Sequence, residues 1–369
     1  MQSFITAIGT AVPQHKIEQA QAAQWMQRQL KLNERESKML NALYEASGIQ
    51  NRYTVLQDFT SLQNFTFFPD SEDLEPFPST AKRMEIYRQQ ALPLAEKAIY
   101  NCLEKCFVPK NEITHLIVVS CTGMYAPGLD IELIQSLGLQ TNVERTCIQF
   151  MGCYAAFNGL KSASAICRSN PQAKVLLLCI ELCTIHFQKY KTRDHFVSNA
   201  LFADGAAAVI IEPQPQTGKI NLQLEAFHCD LALDSSKEMA WKIGDHGFEM
   251  VLSSYVPQVI KSGIKNLTAK LLRKLDMQLN DIKHFAIHPG GRKILEVCQE
   301  ELNLSPENIA CSYEILQKYG NMSSATVLFV LEALYKGLPK NASGEQILSF
   351  AFGPGLTMES MLLSVTSDQ

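Results

Sequence analysis

The sequence lacks the short strings that mark the commonest cofactor sites. There is no GxGxxG or GxxxxGK[ST] to cradle a phosphate and no HExxH to hold zinc, and none of the eleven cysteines forms a CxxC pair. Nucleotides and metals therefore have no evident site. No apolar stretch approaches the roughly 20 residues of a membrane helix. The start, MQSFITAIGTAVP, has no basic region and meets Gly9 and Pro13 where a signal peptide would continue its apolar run. The cysteines are scattered through apolar segments such as LLLCIELC, so reduced thiols in a cytoplasmic protein are expected. A dominant charge is missing too. The 33 Lys and Arg against 37 Asp and Glu leave a net charge of -4, which offers no footprint for nucleic acid or an anionic membrane.

What is present is apolar residue in quantity. With 46% hydrophobic residues, the 369-residue chain can fill more than one core, and two domains or two fused halves are the first expectation. β-rich apolar runs alternate with longer helical patterns, which marks an α/β protein with buried strands. FITAIG, THLIVVS, KVLLLCIE, AAAVIIE, HFAIH and QILSFAFG read as strands, and residues 86–106, 154–168, 248–275, 292–303 and 322–336 as helices. Residues 54–80, rich in Phe, Ser, Asp and Pro, read as an irregular excursion.

The halves echo one another. EITHLIVVSCTG resembles NDIKHFAIHPGG, and MGCYAAFNGLKSA resembles YGNMSSATVLFVLEA, with KVLLLCIE and QILSFAFG as a third pair. The three pairs share an offset near 170 residues, too long for a solenoid repeat and suited either to a duplicated α/β half or to the similar strand–loop–helix units of any α/β protein. The echo sets Cys153 and Asn321 at equivalent helix starts.

Cys153 follows a glycine at a helix entry, where unpaired N–H groups and the helix dipole are expected to lower a thiol's pKa. His288 ends a buried strand at a Pro-Gly-Gly turn, a position from which it can act as acid, base or partner of a thiolate. Asn321 can donate to a thioester or enolate oxygen. Taken alone, each also fits a plain role: an inert buried thiol, a satisfied core histidine, a helix cap. FAFGPGLTMES ends a strand in a glycine loop that lets backbone approach the cysteine closely.

GCYAAFNGL, ALFADGAAA, IHPGGRKIL, YGNMSSATVLF and FAFGPGLTMES together resemble the type III polyketide synthases, the chalcone-synthase-like branch of the thiolase superfamily, over about residues 3–365. The resemblance implies a thiolase fold, two α/β halves (1–215 and 216–369) in a layered αβαβα core, as a homodimer. It implies that Cys153 takes an acyl group from a thioester, that His288 and Asn321 bind malonyl-CoA and stabilise its decarboxylated enolate, and that Phe202 is a gatekeeper. No permanently bound cofactor is implied; the acyl starter arrives on coenzyme A or on an acyl carrier protein. A single-condensation enzyme like ketoacyl synthase III, or an idle acyl-binding relative, are the alternatives.

Departures from the plant pattern cluster in the implied pocket. Cys121, Thr122 and Ala126 stand for Thr, Ser and Met, Cys183 and His186 for two Thr, Trp241 for Gly and Met250 for Phe. Small side chains at Ala126 and Cys183 should open space, as in bacterial members that make alkylpyrones or alkylresorcinols from long acyl chains. Trp241 should fill another wall, or simply pack. Glu181 and Ser323 are kept from a network linked to aldol closure, whereas Cys121 breaks it. The cations that grip coenzyme A in plants appear as Met39, Ala42 and Ala46, with Lys38, Arg35 or Arg52 as candidate substitutes.

Overall fold

The computed structural model describes residues 2–61, 63–235, 237–253 and 255–367. The chain opens with strands β1 (Phe4–Ala11) and β2 (His15–Glu18), helices α1 (Gln19–Gln29) and α2 (Glu34–Ala46), strand β3 (Asn51–Thr54) and helix α3 (Thr80–Leu103). Then come β4 (His115–Ser120), α4 (Leu129–Leu137), β5 (Glu144–Gln149), α5 (Ala155–Ser169), β6 (Val175–Leu182), α6 (Arg193–Leu201) and β7 (Asp204–Glu212). The later part holds β8 (Ile220–Leu231), the hairpin β9 (Met239–Gly244) and β10 (Gly247–Leu252), α7 (Val256–Arg273), β11 (His284–Ile287) and α8 (Arg292–Glu301). It ends with α9 (Ala310–Tyr319), α10 (Thr326–Gly337), β12 (Gln346–Gly353) and β13 (Thr357–Ser367).

The main sheet runs β11-β12-β13-β8-β1-β7-β6-β4-β5. Its two ends repeat one pattern. β4 lies parallel to β6, which is antiparallel to β7, which is antiparallel to β1; β11, β12, β13 and β8 repeat those three relations in order. The near-170 offset is therefore a repeat in space, with β4 matching β11 and β6 matching β12. β5 has no counterpart.

Alternation along the strands sorts the apolar side chains into layers. On β6, Val175, Leu177 and Cys179 face one core while Leu176, Leu178 and Ile180 face another. On β12, Ile347 and Ala351 join that first core, and Leu348, Phe350 and Phe352 face a third. The shared core is filled by α5 and α10, the second by α3 and α4, the third by α7 and α8. The outcome is five layers, αβαβα, with the helices that follow Cys153 and Asn321 side by side at the centre.

All six expected strands form, and the helix expected at 86–106 starts earlier, at Thr80, where the Ser79 hydroxyl accepts from the Lys82 N–H. The stretch 248–275 is not one helix. Phe248–Leu252 belongs to β10, and α7 begins at Val256 with Pro257 in its first turn, where a missing N–H costs nothing. The apolar residues of the hairpin continue the helical pattern by coincidence of spacing. Residues 55–61 and 63–79 run irregularly, with two 3-10 turns among them, and Asp58 gathers the Thr66, Phe67 and Phe68 amides.

α3 crosses β1 at Gly9 with no room for a side chain, since a Cβ there would lie 2.2 Å from Cys102 N and 2.6 Å from Ala98 O. Because neither neighbour is a movable side-chain end, Gly9→Ala is expected to cost about 3 kcal/mol. A urea titration checks this, and an unchanged midpoint contradicts it.

Candidate active site

β5 ends in a strained entry to α5. Phe150 holds φ 60° and Gly152 φ 81°, and Cys153 follows as the chain turns into the helix. A side chain at Gly152 would meet Pro354 Cδ at 2.4 Å, and one at Gly353 would lie 3.4 Å from Cys153 N. The Phe-Gly-Pro-Gly loop of the second half thus closes on the cysteine, as its glycines suggested.

Asn321 is tied to the first half through its backbone. Its N–H donates to Leu201 O and its carbonyl accepts from the Ala203 N–H, both at 2.9 Å, a bridge that flanks Phe202. It is not the N-cap of α10, because a 3-10 turn over Ser323–Ala325 intervenes. Its Oδ1 accepts from the Ser323 N–H at 2.9 Å, and its Nδ2 donates to Gly290 O at 3.2 Å and to the Cys153 sulfur. Gly290 follows His288, so the amide and the imidazole meet at one turn. His288 is 1% exposed, and among the described residues neither ring nitrogen has a hydrogen-bond partner.

The protonation state differs from expectation. Burial pushes the Cys153 thiol up to about 11, although hydrogen bonds from Ser323 and Asn321 oppose the rise. Burial likewise pulls His288 down to about 3. A helix start lowers a thiol's pKa only where the charge is solvated or paired. Here burial outweighs the helix start, and it favours the neutral thiol and the neutral imidazole.

Glu181 ends β6 fully buried and accepts from the Cys121 N–H (2.9 Å), Thr122 Oγ1 (2.8 Å) and Ser324 Oγ (2.5 Å). Burial still raises its carboxyl to about 7. The serine on Glu181 is thus Ser324 and not Ser323, whose hydroxyl goes to Cys153 instead. Ser323 sits at φ 47°, and this twist turns the two adjacent serines to different partners. Cys121 keeps its backbone tie to Glu181 but turns its sulfur to the Gly152 N–H at 2.9 Å.

A narrow cavity reaches Cys183, near Cys153, and Phe202. His186, Trp241, Phe248 and Met250 wall it. His186 donates from Nε2 to Thr122 O (2.7 Å), accepts from the Phe248 N–H at Nδ1 (2.9 Å) and stacks on Phe248. Burial holds it near 3, so it is a neutral strut. Trp241 Nε1 donates to Cys121 O at 2.7 Å, locking the hairpin onto the wall. Ala126 does not join this space; it lines a separate depression beside β5 with Tyr125 and Cys147, because its loop turns outward after Gly123. A further cavity touches Gly290 and Gly291, with Arg193 and Lys293 on its lining.

Arg52 is not free to grip a phosphate. It is buried, donating from Nη1 to Phe202 O (2.6 Å) and from Nε to Gln19 (2.9 Å). Lys38 is exposed on α2, paired with Glu34, and Arg35 is exposed on the same helix. Sequence reasoning passed over Arg52 as a prop for Phe202, over Ser324, and over Asp204, which holds Thr184 and the Val55 N–H. The doubled serine and the acid after ALFA were the available signals. Among the described residues no cluster suited to a metal ion occurs, and no helix is long and apolar enough to cross a membrane.

Residues 2–215 match the N-terminal domain and 223–366 the C-terminal domain of the chalcone and stilbene synthases. The chain is 30% identical to the alpha-pyrone synthesis polyketide synthase-like Pks18 of Mycobacterium tuberculosis, over 98% of this chain and 91% of that protein. It is 31% identical to type III polyketide synthase C of Arabidopsis thaliana, over 97% and 94%. Polyketide synthase 37 of Dictyostelium discoideum matches at 30%, but there the chain spans 11% of a much longer protein. The crystal structure of PKS-I from the brown alga Ectocarpus siliculosus superposes with a TM-score of 0.91 at 31% identity, each chain covered to 98%. The chain belongs to the chalcone and stilbene synthase family, the type III polyketide synthases, and has their thiolase fold. It is an acyltransferase of the kind that forms carbon–carbon bonds.

With a thiol near 11, alkylation of Cys153 by iodoacetamide, followed peptide by peptide, should accelerate about tenfold per pH unit between pH 7 and 10. A rate already flat below pH 7 would reveal a preformed thiolate.

Proposed function

We propose that this enzyme loads a medium or long acyl chain onto Cys153, extends it with malonyl-CoA and releases an alkylpyrone or alkylresorcinol. The observation that carries the starter class is the narrow cavity beside Cys183 and Phe202, walled by Trp241, Phe248 and Met250. Such a wall suits a flexible alkyl tail. The mycobacterial relative, an alpha-pyrone synthesis polyketide synthase-like protein, points the same way.

In the first step the Cys153 sulfur attacks the starter's thioester carbonyl and coenzyme A leaves as its thiol, carrying off the proton that Cys153 gives up. Neutral His288, with both nitrogens unpartnered among the described residues, is suited to relay that proton. In the second step malonyl-CoA loses carbon dioxide. His288 and the Asn321 amide donate to its thioester oxygen as the enolate forms, and the enolate carbon then attacks the acyl carbonyl on Cys153, whose bond to sulfur breaks and releases Cys153 as thiolate. Buried, oriented donors favour this, since they need little reorganisation when the charge appears.

Delivery as coenzyme A thioesters is supported by Arg193 and Lys293 beside the Gly290–Gly291 turn, where a polyanion would approach. Phe202, propped by Arg52, is the gate between that approach and the tail cavity. We infer a homodimer as well. The edge strand β5 is exposed from Glu144 to Cys147, and a long unpaired edge invites a second copy.

Purified protein given acyl-CoAs of graded length and labelled malonyl-CoA should favour the longer alkyl starters; preference for an aromatic starter overturns the long-chain reading. Cys153→Ala should yield no extended product. Asn321→Ala should slow malonyl-CoA decarboxylation by about 10²–10³-fold, the usual loss on removing an oxyanion donor. Carbon dioxide release at the parent rate would dismiss the assigned role of the amide.

A further inference from the structure

Besides its bridge to the Phe202 segment, the turn that carries Asn321 is held by strand β3. The Gln50 N–H donates to Gln317 O at 2.8 Å, and the Tyr53 ring stacks on Tyr319 with centroids 5.8 Å apart. β3 therefore lies along the end of α9 that leads into Gly320 and Asn321. Between these two contacts comes Arg52, whose stem runs against Gly320. A Cβ on that glycine would lie 2.9 Å from Arg52 Cγ and 2.9 Å from Leu201 O, so the arginine occupies the place of the missing side chain. Its head donates to Phe202 O at 2.6 Å and to Gln19 Oε1 at 2.9 Å. Gln19 closes the frame, donating from Nε2 to Ala200 O at 2.8 Å and to Ser47 Oγ at 3.2 Å.

The carbonyls of three successive residues thus have fixed donors: Ala200 has Gln19, Leu201 has the Asn321 N–H and Phe202 has Arg52. A buried guanidinium is a costly way to fill space, since an apolar side chain of similar volume desolvates no charge. What it supplies is a planar fork with its donors at a set angle, able to hold Phe202 O and Gln19 Oε1 at once. The contacts of Arg52 lie at Phe202, Gln19 and Gly320, on either side of the Asn321 backbone bonds. Cys153 is placed by other parts, the turn out of β5 and the Phe-Gly-Pro-Gly loop.

We propose that Arg52 is a positioning residue for the Asn321 amide, one that governs the malonyl-CoA half of the reaction and leaves the loading of Cys153 largely alone. This rests on the role given to Asn321 above and extends it to a side chain remote from the reacting atoms. Gln19 acts with Arg52, because it holds the guanidinium by one donor and the neighbouring Ala200 carbonyl by its own.

The test reads two half-reactions in the full chain: single-turnover acylation of Cys153 by an acyl-CoA that the parent accepts, and release of labelled carbon dioxide from malonyl-CoA without starter. Arg52→Met should lower the ratio of decarboxylation to acylation at least about tenfold, since a donor misplaced by about 1 Å costs on the order of a hundredfold. The loss should lie in kcat for malonyl-CoA, where an interaction made in the transition state is felt. Arg52→Lys keeps the charge but reaches one acceptor, so it should restore part of the ratio, and Gln19→Met, which frees the second donor, should also fall between. The ratio is read within one protein, so partial misfolding lowers both rates and leaves it interpretable. If Arg52→Met does not accumulate, the other two variants carry the same comparison. Equal losses in both half-reactions, an unchanged ratio or a loss confined to acylation would make Arg52 a structural brace only and overturn the inference. Asn321→Ala separates the two readings: with decarboxylation lost there, its role stands whatever Arg52 does, and with carbon dioxide released at the parent rate both fall.

Discussion

Two backbone hydrogen bonds, Asn321 to Leu201 and Ala203 to Asn321, join a loop of the second half to a strand entry of the first. The reactive groups come from both halves, and a side chain can be aimed only as well as its backbone is held. With this bridge in place, Phe202 and Asn321 are fixed to each other, the Asn321 amide reaches Gly290, and the His288 turn follows. Arg52 braces the bridge from behind through Phe202 O. The five-layer core serves the same end, since α5 and α10 packed at its centre carry Cys153 and the Asn321 turn at their heads.

Dryness governs the chemistry of what the bridge assembles. Burial acts in the same sense on every ionisable group nearby, raising Cys153 and Glu181 and lowering His288 and His186. The site therefore carries little charge at rest. A charge that appears during reaction meets low dielectric and oriented donors, where each hydrogen bond counts for more than in water. A permanently ionised pair in that place would demand its own solvation.

Much of this was legible in the chain. Uncharged strands of Val, Ile, Leu and Ala announced themselves, and the near-170 offset foretold both the repeated strand pattern and the pairing of Cys153 with Asn321. The glycines of FAFGPGL foretold the close approach at Gly152. What escaped has physical causes. The edge strand β5, with charged and exposed residues, has no apolar signature. Ser323 and Ser324 are exchanged in role by one positive φ, which no composition reveals. Ala126 leaves the pocket because its loop turns outward. The thiol's resting state depends on how much water reaches it, and that is set by residues hundreds of positions away.

The β9–β10 hairpin has a consequence for how such an enzyme can change. Its ties run from backbone groups at Asp245, His246 and Gly247 to Thr80 and Gln188, while Trp241 and Met250, paired across the two strands, face the cavity. Attachment and lining thus reside in different atoms of the same hairpin. Substitutions at Met250 can reshape the wall without loosening the anchor or touching the central helices, whereas Trp241 is itself a tie through its bond to Cys121 O. Lineages can drift in the product they make while the condensing chemistry stays constant, because the part under selection for shape is mechanically insulated from the part under selection for reactivity.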